Sequence, residues 1–224
     1  MEPYLSIIVP TLNEASCIVD TLAALIPLRN RGSQIIVVDG GSNDGTPELA
    51  SPYADLVLSA RSGRAHQMNA GAQYAHGQTL LFLHADTILP HNADTVIYNA
   101  IRNQGWGRFN VEIIGTHPML KVVARLMNMR SCLTGIATGD QALFVSRQLF
   151  QQIGGFPDQP LMEDIELCKR LRKLQKPKCI SAKVLTSGRR WETRGVWKTI
   201  LLMWRLRWRY WRGVPATQLV KDYQ

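Results

Sequence analysis

The first part of the chain alternates between short apolar runs and segments with helical spacing. The apolar runs predict strands at 5–9, 34–38, 56–59 and 80–83. Helices are predicted between them, at about 15–28 with Asn13 as the cap, from Thr46 onward, and at about 64–75. Short continuous apolar strands separated by helices are typical of a parallel sheet covered on both faces. The pattern therefore predicts an α/β fold with a mostly parallel sheet flanked by helices.

The second half is less regular, and its elements are predicted one by one. Strands are expected at 108–114 and 141–145, and helices at 120–129 and 162–174. A further helix is expected after Gly195. We predict one large domain at 1–190 and an appended helical segment at 191–224.

Polar residues follow three of the first strands. They are Pro10-Thr11, Asp39-Gly40 and the stretch from His84 to Asp86. In parallel α/β sheets, ligands bind beyond the carboxyl ends of the strands. The sequence therefore predicts a ligand site at this edge.

Composition narrows the class of protein. The 224 residues have 46% hydrophobic and 19% charged content, which is ordinary for a folded domain. The four cysteines are scattered and form no C-x-x-C pair, which disfavours structural zinc and favours a reducing, cytoplasmic compartment. Neither a signal peptide nor a transmembrane helix is expected.

Three groups at the sheet edge suggest one kind of ligand. Asp39 begins a Gly-rich loop whose amides can approach a ligand, although a polar turn is the alternative. Arg64 begins a helix, where it could meet a phosphate or lie exposed. Asp86 could bind a hard cation or cap a helix. Together they suit a metal-bridged nucleoside diphosphate.

Five motifs resemble family 2 glycosyltransferases in order and spacing. They are SIIVPTLNEA (6–15), VVDGGSNDGT (37–46), GRAHQMNAGA (63–72), FLHADT (82–87) and IGGFPDQPLMEDIELCKRLRK (153–173). The resemblance covers about 4–190 and implies a GT-A fold that acts on nucleotide-diphospho-sugars. Together with Gly139-Asp140-Gln141, the third and fourth motifs resemble the bacterial branch associated with radical-SAM and selenium-domain proteins.

The resemblance implies roles for residues of the donor site. Residues of the nucleotide-sugar pocket would be Pro10, Thr11, Asn13, Glu14, Asp39, Gly40, Arg64, His84, Asp86 and Arg190. Asp39 matches the carboxylate that contacts the base, which the resemblance implies is a uracil. Asp86 matches the last, metal-binding Asp of the D-x-D motif, for Mg²⁺ or Mn²⁺ completed by diphosphate and water. His84 replaces the first Asp of that motif, so it could bind ribose, line the metal site or simply pack.

The pair Glu163-Asp164 matches the family's E-D motif. Inverting transfer needs a base that removes the proton of the attacking hydroxyl. The resemblance assigns this role to Asp164 with Glu163 in support; favourable charge at a helix start is the alternative.

Acceptor contacts are assigned to Asp140, Gln141 and Trp191. Residues 187–191 partly resemble the Q-x-x-R-W motif of processive synthases, but Ser187 stands at the Gln position. Transfer of one sugar is therefore favoured over polymerisation, and Arg190 could still hold the diphosphate.

The C-terminal segment has its own pattern. Residues 189–212 carry eight Lys/Arg and one Glu, which is most of the excess in the net charge of +9. A stripe at helical spacing is formed by Trp197, Leu201, Trp204, Trp208 and Trp211, with basic residues beside it. This suits a helix at an anionic membrane surface, on the inner face of the membrane. Packing on the domain or on a second subunit is the alternative.

Two other functions compete with glycosyl transfer. A nucleotidyltransferase would need a Gly-rich basic loop after the first strand, where this chain has Pro10 to Glu14. A non-catalytic module of the same fold could bind a membrane or a partner through the basic segment. Nucleic acid is not expected as a partner, because basic residues do not line the sheet edge.

Overall fold

A computed structural model describes residues 4–102 and 105–223. Within these residues the strands form one eight-stranded sheet. The strands are β1 (Leu5–Thr11), β2 (Gln34–Asp39), β3 (Leu56–Ser59), β4 (Thr79–Phe82), β5 (Thr87–Ile88), β6 (Trp106–Ile114), β7 (Leu143–Ser146) and β8 (Lys178–Ser187). Their order is β3-β2-β1-β4-β7-β6-β8-β5.

Helices cover both faces of this sheet. They are α1 (Ile18–Ala23), α2 (Ile26–Asn30), α3 (Thr46–Ala50), α4 (Arg64–Gln73), α5 (Ala93–Ile101), α6 (Met119–Thr134), α7 (Arg147–Gln152), α8 (Glu163–Leu174), α9 (Arg189–Arg194), α10 (Val196–Trp211) and α11 (Ala216–Tyr223). Alternate residues of each central strand point to opposite faces, so Ile7 and Val9 join one core cluster and Ile8 joins the other. The predicted α/β fold is confirmed.

Strand direction explains where the site forms. The first four strands of the sheet order pair in parallel, so their carboxyl ends share an edge. Strand β7 then runs antiparallel to β4, with Leu143 opposite Phe82. The segment before β7, a 3-10 turn at Gly139–Gln141, therefore lies at the same edge as His84.

Pro10 lies inside β1 and does not end the strand. It is opposite Val38 of β2, while the pairing of β1 with β4 has already ended at Ile8 and Phe82. The backbone N–H and C=O of Ile8 point toward β4, since the Ile8 carbonyl accepts the N–H of Leu83. The backbone of Pro10, two residues on, points the same way, beyond the end of the β1–β4 pairing. No hydrogen bond between these two strands therefore requires the N–H that proline lacks.

Several predicted boundaries are wrong. The helix expected at 15–28 is two short helices, because α1 ends at Ala23 and α2 begins at Ile26, with Pro27 in its first turn. Asn13 is not a helix cap, and the N-cap of α1 is Cys17. Asp86 caps no helix, since β5 follows it. The strand expected at 141–145 starts later, after the 3-10 turn.

The C-terminal helices pack on the body of the protein by one side only. Leu206 of α10 and Leu219 of α11 are fully buried against Leu161, Met162 and Ile165. The opposite side of α10 carries the tryptophan stripe and is exposed. Among the described residues, no helix combines the length and the apolar character that crossing a bilayer requires.

Candidate active site

The loops after β1 and β2 are joined into one platform. The amide of Asn13 donates to Ser42 Oγ at 2.8 Å, and the amide of Asn43 donates to Asn13 Oδ1 at 3.0 Å. The amide of Glu14 donates to Thr46 Oγ1 at 2.9 Å. Asn13 has a left-handed φ of 56°, which asparagine tolerates better than most residues. The polar side chains of these motifs thus fix the shape of the sheet edge.

Asp39 holds this platform from within. Its Oδ2 accepts the amides of Gly41 and Ser42, both at 2.8 Å, and its Oδ1 accepts the hydroxyls of Ser42 at 2.5 Å and Thr11 at 3.2 Å. Burial opposes ionisation, but these hydrogen bonds outweigh it and hold the pKa of Asp39 below its usual value. Four donors fill the lone pairs of the carboxylate.

Gln67 connects the platform to the helix that carries Arg64. Its Nε2 donates to the carbonyls of Thr11 at 2.7 Å and Val38 at 2.9 Å. A Cβ at Gly40 would come 3.1 Å from the Gln67 amide, so a larger residue would crowd this contact. Sequence reasoning missed Gln67, although it lies in the quoted GRAHQMN motif.

His84, Gly139 and Asp140 form one unit. His84 Nδ1 lies 3.2 Å from Asp140 Oδ1. A Cβ on Gly139 would lie 2.2 Å from His84 Nε2, so only glycine allows the imidazole to approach the turn. Burial opposes ionisation of Asp140, but the bond and charge of His84, together with Arg64, keep its pKa below the usual value.

Glu163 and Asp164 start α8 beside this unit. The Gly139 amide donates to Asp164 Oδ2 at 3.1 Å, and the Ile165 amide donates to Oδ1 at 2.7 Å. Burial raises the pKa of both carboxyls. The negative charge of Asp164 raises the pKa of Glu163 further, and the negative charge of Asp140 raises that of Asp164. A carboxylate with a raised pKa is a stronger base than an ordinary one.

Arg64 faces these carboxylates from the start of α4. The Arg64 residue is exposed, and Tyr223, Glu163, Asp140 and Asp164 lie near enough for their charges to act on its guanidinium. Burial disfavours its charge, but these neighbours outweigh burial and raise the pKa of Arg64. A cation held this way can meet a phosphate.

Asp86 lies beside a second group of residues. Burial raises the pKa of Cys17 to about 12, with further contributions from Glu14 and Asp86. Glu14 also lies 3.5 Å from Arg189. Among the described residues, the Asp86 side chain accepts one long bond, from Thr87 Oγ1 at 3.4 Å.

A metal would find few protein ligands here. The described part of the chain contains no cluster of three or more His, Cys, Asp or Glu side chains suited to a metal ion. Asp86 therefore offers one uncommitted carboxylate, which fits Mg²⁺ or Mn²⁺ held mainly by substrate phosphates and water.

Arg190 is engaged by the C-terminus of the described chain. Its guanidinium lies 3.8 Å from the centre of the Tyr223 ring, and its Nη1 donates to the Tyr223 hydroxyl. Tyr223 on α11 thus lies against Arg190. Sequence reasoning missed this residue, because no motif marks it and 130 residues or more separate it from the sheet-edge motifs of the first strands.

Two of the predicted acceptor residues are placed elsewhere. Gln141 is fully buried, and its Nε2 donates to Asn128 and Ser131 on α6. Trp191 packs against the larger core cluster. Gln141 thus has no exposed surface, whereas Trp191 is half-buried and Asp140 contacts His84, and the acceptor role of all three stays a prediction.

Arg130 is a further charged residue near Asp164. Burial lowers the pKa of its guanidinium, and the charge of Asp164 acts in the opposite direction. Its buried Nε and Nη2 have no hydrogen-bond partner among the described residues. An uncommitted buried donor of this kind is suited to an anion.

The amino-acid sequence is similar to a family model and to curated proteins. Residues 6–113 match the model described as "Glycosyl transferase family 2". A PGL/p-HBAD biosynthesis glycosyltransferase of Mycobacterium bovis is 36% identical over 101 residues, covering 42% of this chain and 39% of that protein. A poly-beta-1,6-N-acetyl-D-glucosamine synthase of Staphylococcus aureus is 31% identical over 87 residues, covering 36% and 21%. The chain thus spans less than half the length of these curated relatives.

Solved structures share the fold over most of the chain. The mannosyltransferase PcManGT of Pyrobaculum calidifontis, in complex with GDP-Man and Mn²⁺, has a TM-score of 0.62 and 23% identity, covering 83% of this chain and 57% of that one. TarS of S. aureus in complex with UDP-GlcNAc has a TM-score of 0.66 and 18% identity, and the match covers 84% of this chain and 58% of that one. Glucosyl-3-phosphoglycerate synthase of Mycobacterium tuberculosis, in complex with Mn²⁺, UDP and glucosyl-3-phosphoglycerate, has a TM-score of 0.58 and 18% identity. The match covers 81% of this chain and 70% of that one. The chain therefore has a GT-A-like fold, and its residues 6–113 are similar to glycosyl transferase family 2.

Proposed function

We propose that this protein is a metal-dependent, inverting glycosyltransferase that moves one sugar from a nucleotide-diphospho-sugar to an acceptor hydroxyl. One observation carries the proposal. At the edge where ligands of α/β sheets bind, Asp140 contacts His84 and Asp164 accepts the Gly139 amide, and Arg64 lies near enough for its charge to act on both carboxylates. Such a cleft combines a phosphate-binding cation with a base.

The platform of loops is the proposed site of the nucleoside. Thr11, Asn13, Glu14 and the Asp39 loop would line it, with UDP favoured over GDP. Since four donors already fill Asp39, a contact with the base N–H would replace the bond from the Ser42 hydroxyl.

Asp164 is the proposed base. It would take the proton of the acceptor hydroxyl as that oxygen bonds to the anomeric carbon. The bond from this carbon to the diphosphate oxygen breaks, and the nucleoside diphosphate leaves with the electron pair. Arg64 would hold the negative charge of the leaving group. The negative charge of Asp140 adds to the effect of burial in raising the pKa of Asp164, and Glu163 lies next to the base in support.

Asp86 is the proposed protein ligand of Mg²⁺ or Mn²⁺. When bound, the metal would offset negative charge on the diphosphate. His84 is proposed to position Asp140, which would then bind acceptor hydroxyls. Arg190 would turn from Tyr223 to the diphosphate.

The acceptor is proposed to be amphiphilic or lipid-linked. Arg130, with two uncommitted buried N–H groups, would hold an anionic group of that acceptor. The division at 190/191, a cytoplasmic location at the inner face of the membrane and membership of the radical-SAM-associated branch stay predictions.

A thermal-shift panel tests the donor class. UDP, GDP, CDP and dTDP would each be added with Mn²⁺, Mg²⁺ or EDTA. A nucleotide at a hundred times its dissociation constant stabilises the fold by about 2.7 kcal/mol. We expect UDP to raise the unfolding temperature with metal and to lose the effect with EDTA.

Matched variants identify the site. Arg64→Gln should lose the response to UDP, whereas Lys173→Gln, an exposed basic residue near the end of α8, should keep it. If no nucleotide stabilises the wild-type protein under any metal condition, the proposal fails. The non-catalytic module would then be the better description.

A further inference from the structure

The tryptophan stripe of α10 faces solvent. Its five side chains are between 58% and 77% exposed: Trp197, Leu201, Trp204, Trp208 and Trp211. The opposite side of the helix is buried through Val196, Thr199 and Leu206. Packing on the body of the protein therefore accounts for one side of α10 and leaves its largest apolar side chains uncovered.

A second apolar stripe lies on α6. Four side chains at helical spacing are between 45% and 79% exposed: Val122, Leu126, Met129 and Leu133. The helix buries its other side through Leu120, Val123 and Ala124. Sequence analysis recognised the helix but not this exposed stripe.

The two helices are linked at two places. Near their starts, Glu192 of α9 accepts hydrogen bonds from the amide and hydroxyl of Thr116, just before α6. Beyond the end of α6, Ile136 packs on the cluster that contains Leu202, Met203 and Leu206 of α10. The stripes therefore lie on neighbouring helices, and each points away from the core.

The charge on these helices has one sign. Together they contain seven Lys/Arg and no Asp or Glu, although Arg205 and Arg209 pair with Asp222 of α11 and Arg130 is half-buried near Asp164. Lys121, Arg125 and Lys198 are exposed beside the stripes, and the Arg212 guanidinium lies 5.5 Å from the Trp208 ring centre. Tryptophan rings flanked by arginine and lysine suit the boundary between lipid headgroups and acyl chains.

We infer that α6 and α10 form a docking face for an anionic lipid surface. A second copy of this chain is the less favourable occupant, because joining two such faces would bring Lys and Arg of both copies together. An anionic leaflet offers complementary charge and an apolar layer at once. The buried side of α10 abuts Met162, next to Glu163, so docking would bring the cleft near the bilayer.

Vesicle binding by the full chain tests this inference. The probes are phosphatidylcholine vesicles with and without phosphatidylglycerol, read by co-sedimentation and by tryptophan fluorescence. We expect binding and a blue-shifted emission with the anionic vesicles, and a loss of about tenfold or more in partitioning for the double variant Trp204→Gln/Trp208→Gln.

Matched variants separate the two helices from general surface effects. Leu126→Gln/Met129→Gln on α6 and Lys198→Glu on α10 should each weaken binding several-fold. Tyr74→Gln and Lys173→Glu, which change exposed residues off the two helices, should bind as the wild type does. Unfolding temperatures close to that of the wild type would exclude misfolding as the cause.

Three results would overturn the inference. They are no binding of wild type to anionic vesicles, wild-type binding by either double variant, and dimers in sedimentation velocity that the Trp204→Gln/Trp208→Gln variant abolishes without any lipid binding. These readouts do not depend on activity, so they stand apart from the test of the proposed glycosyl transfer.

Discussion

The cleft at the sheet edge and the outer side of α10 differ in whether their side chains find partners within the protein. In the cleft, polar groups satisfy each other: Asp39 accepts four hydrogen bonds, and Asp164 accepts two backbone amides. On α10, four tryptophans face solvent and contact little. A satisfied polar network fixes a shape in advance of its ligand, whereas an uncovered apolar stripe requires a partner surface.

The largest expected effect comes from removing Asp164, the proposed proton acceptor in the cleft. Asp164→Asn should lower kcat by about a thousandfold or more, because the amide cannot accept the hydroxyl proton. Donor affinity by calorimetry should stay near the wild-type value. Glu166→Gln, at a half-buried position of α8 that accepts from the Tyr210 hydroxyl, is the control and should keep its activity. Normal turnover by Asp164→Asn would disprove the assignment.

A pH profile of the proposed glycosyl transfer by the wild-type protein tests the same base. The base acts only when ionised, and burial raises the pKa of Asp164 and Glu163. Activity should therefore fall as the pH drops through a value above the usual carboxyl range, and not near pH 4 as for an ordinary carboxylate. An acid limb at an ordinary carboxyl pKa would contradict the raised value.

The two regions should also differ in how a tryptophan contributes to stability. Trp106 is buried and donates to the Gln175 carbonyl at 2.9 Å, so Trp106→Ala should reduce the free energy of unfolding by about 3–5 kcal/mol. Trp204→Gln on the exposed stripe should change it by no more than about 0.5 kcal/mol. Urea denaturation measures both, and a large loss at Trp204 would mean that the stripe is covered in solution.

Gly139→Ala probes the close approach of His84. The added Cβ would lie 2.2 Å from Nε2, so the imidazole must move away from Asp140. We expect kcat/KM to fall by about tenfold or more, since small displacements of positioning groups are costly. His84→Ala makes room for the Cβ, so the double variant should be no worse than His84→Ala. Additive losses would refute this steric explanation.

Asp39→Asn is expected to have a smaller effect, on stability. The lowered pKa of Asp39 means that its ionised form stabilises the fold above the pKa of the unfolded chain, and that this contribution is lost as the pH falls through the lower, folded value. The variant should lose about 1–2 kcal/mol at pH 7. The difference from the wild type should shrink at acidic pH; a constant difference would point to a cause other than charge.

The sequence motifs predicted the site edge because their information is local. Polar residues after Val9, Val38 and Leu83 must share an edge once the strands are parallel, and glycines permit the tight loops. The replacement of the first D-x-D aspartate by His84 was likewise visible in the sequence, through the resemblance of FLHADT to the family motif. The partner of His84 was not predictable, since Asp140 reaches it through the antiparallel pairing of β4 with β7.

The sequence by itself determined the alternation of strands and helices, the polar strand ends and the stripe on α10, because each depends on periodicity or adjacent residues. Only the tertiary structure decided that Gln141 is buried, that Tyr223 meets Arg190, and that the stripes of α6 and α10 are both exposed. These facts depend on which surfaces meet across the fold. Burial and contact are properties of pairs of distant segments, and no local pattern contains them.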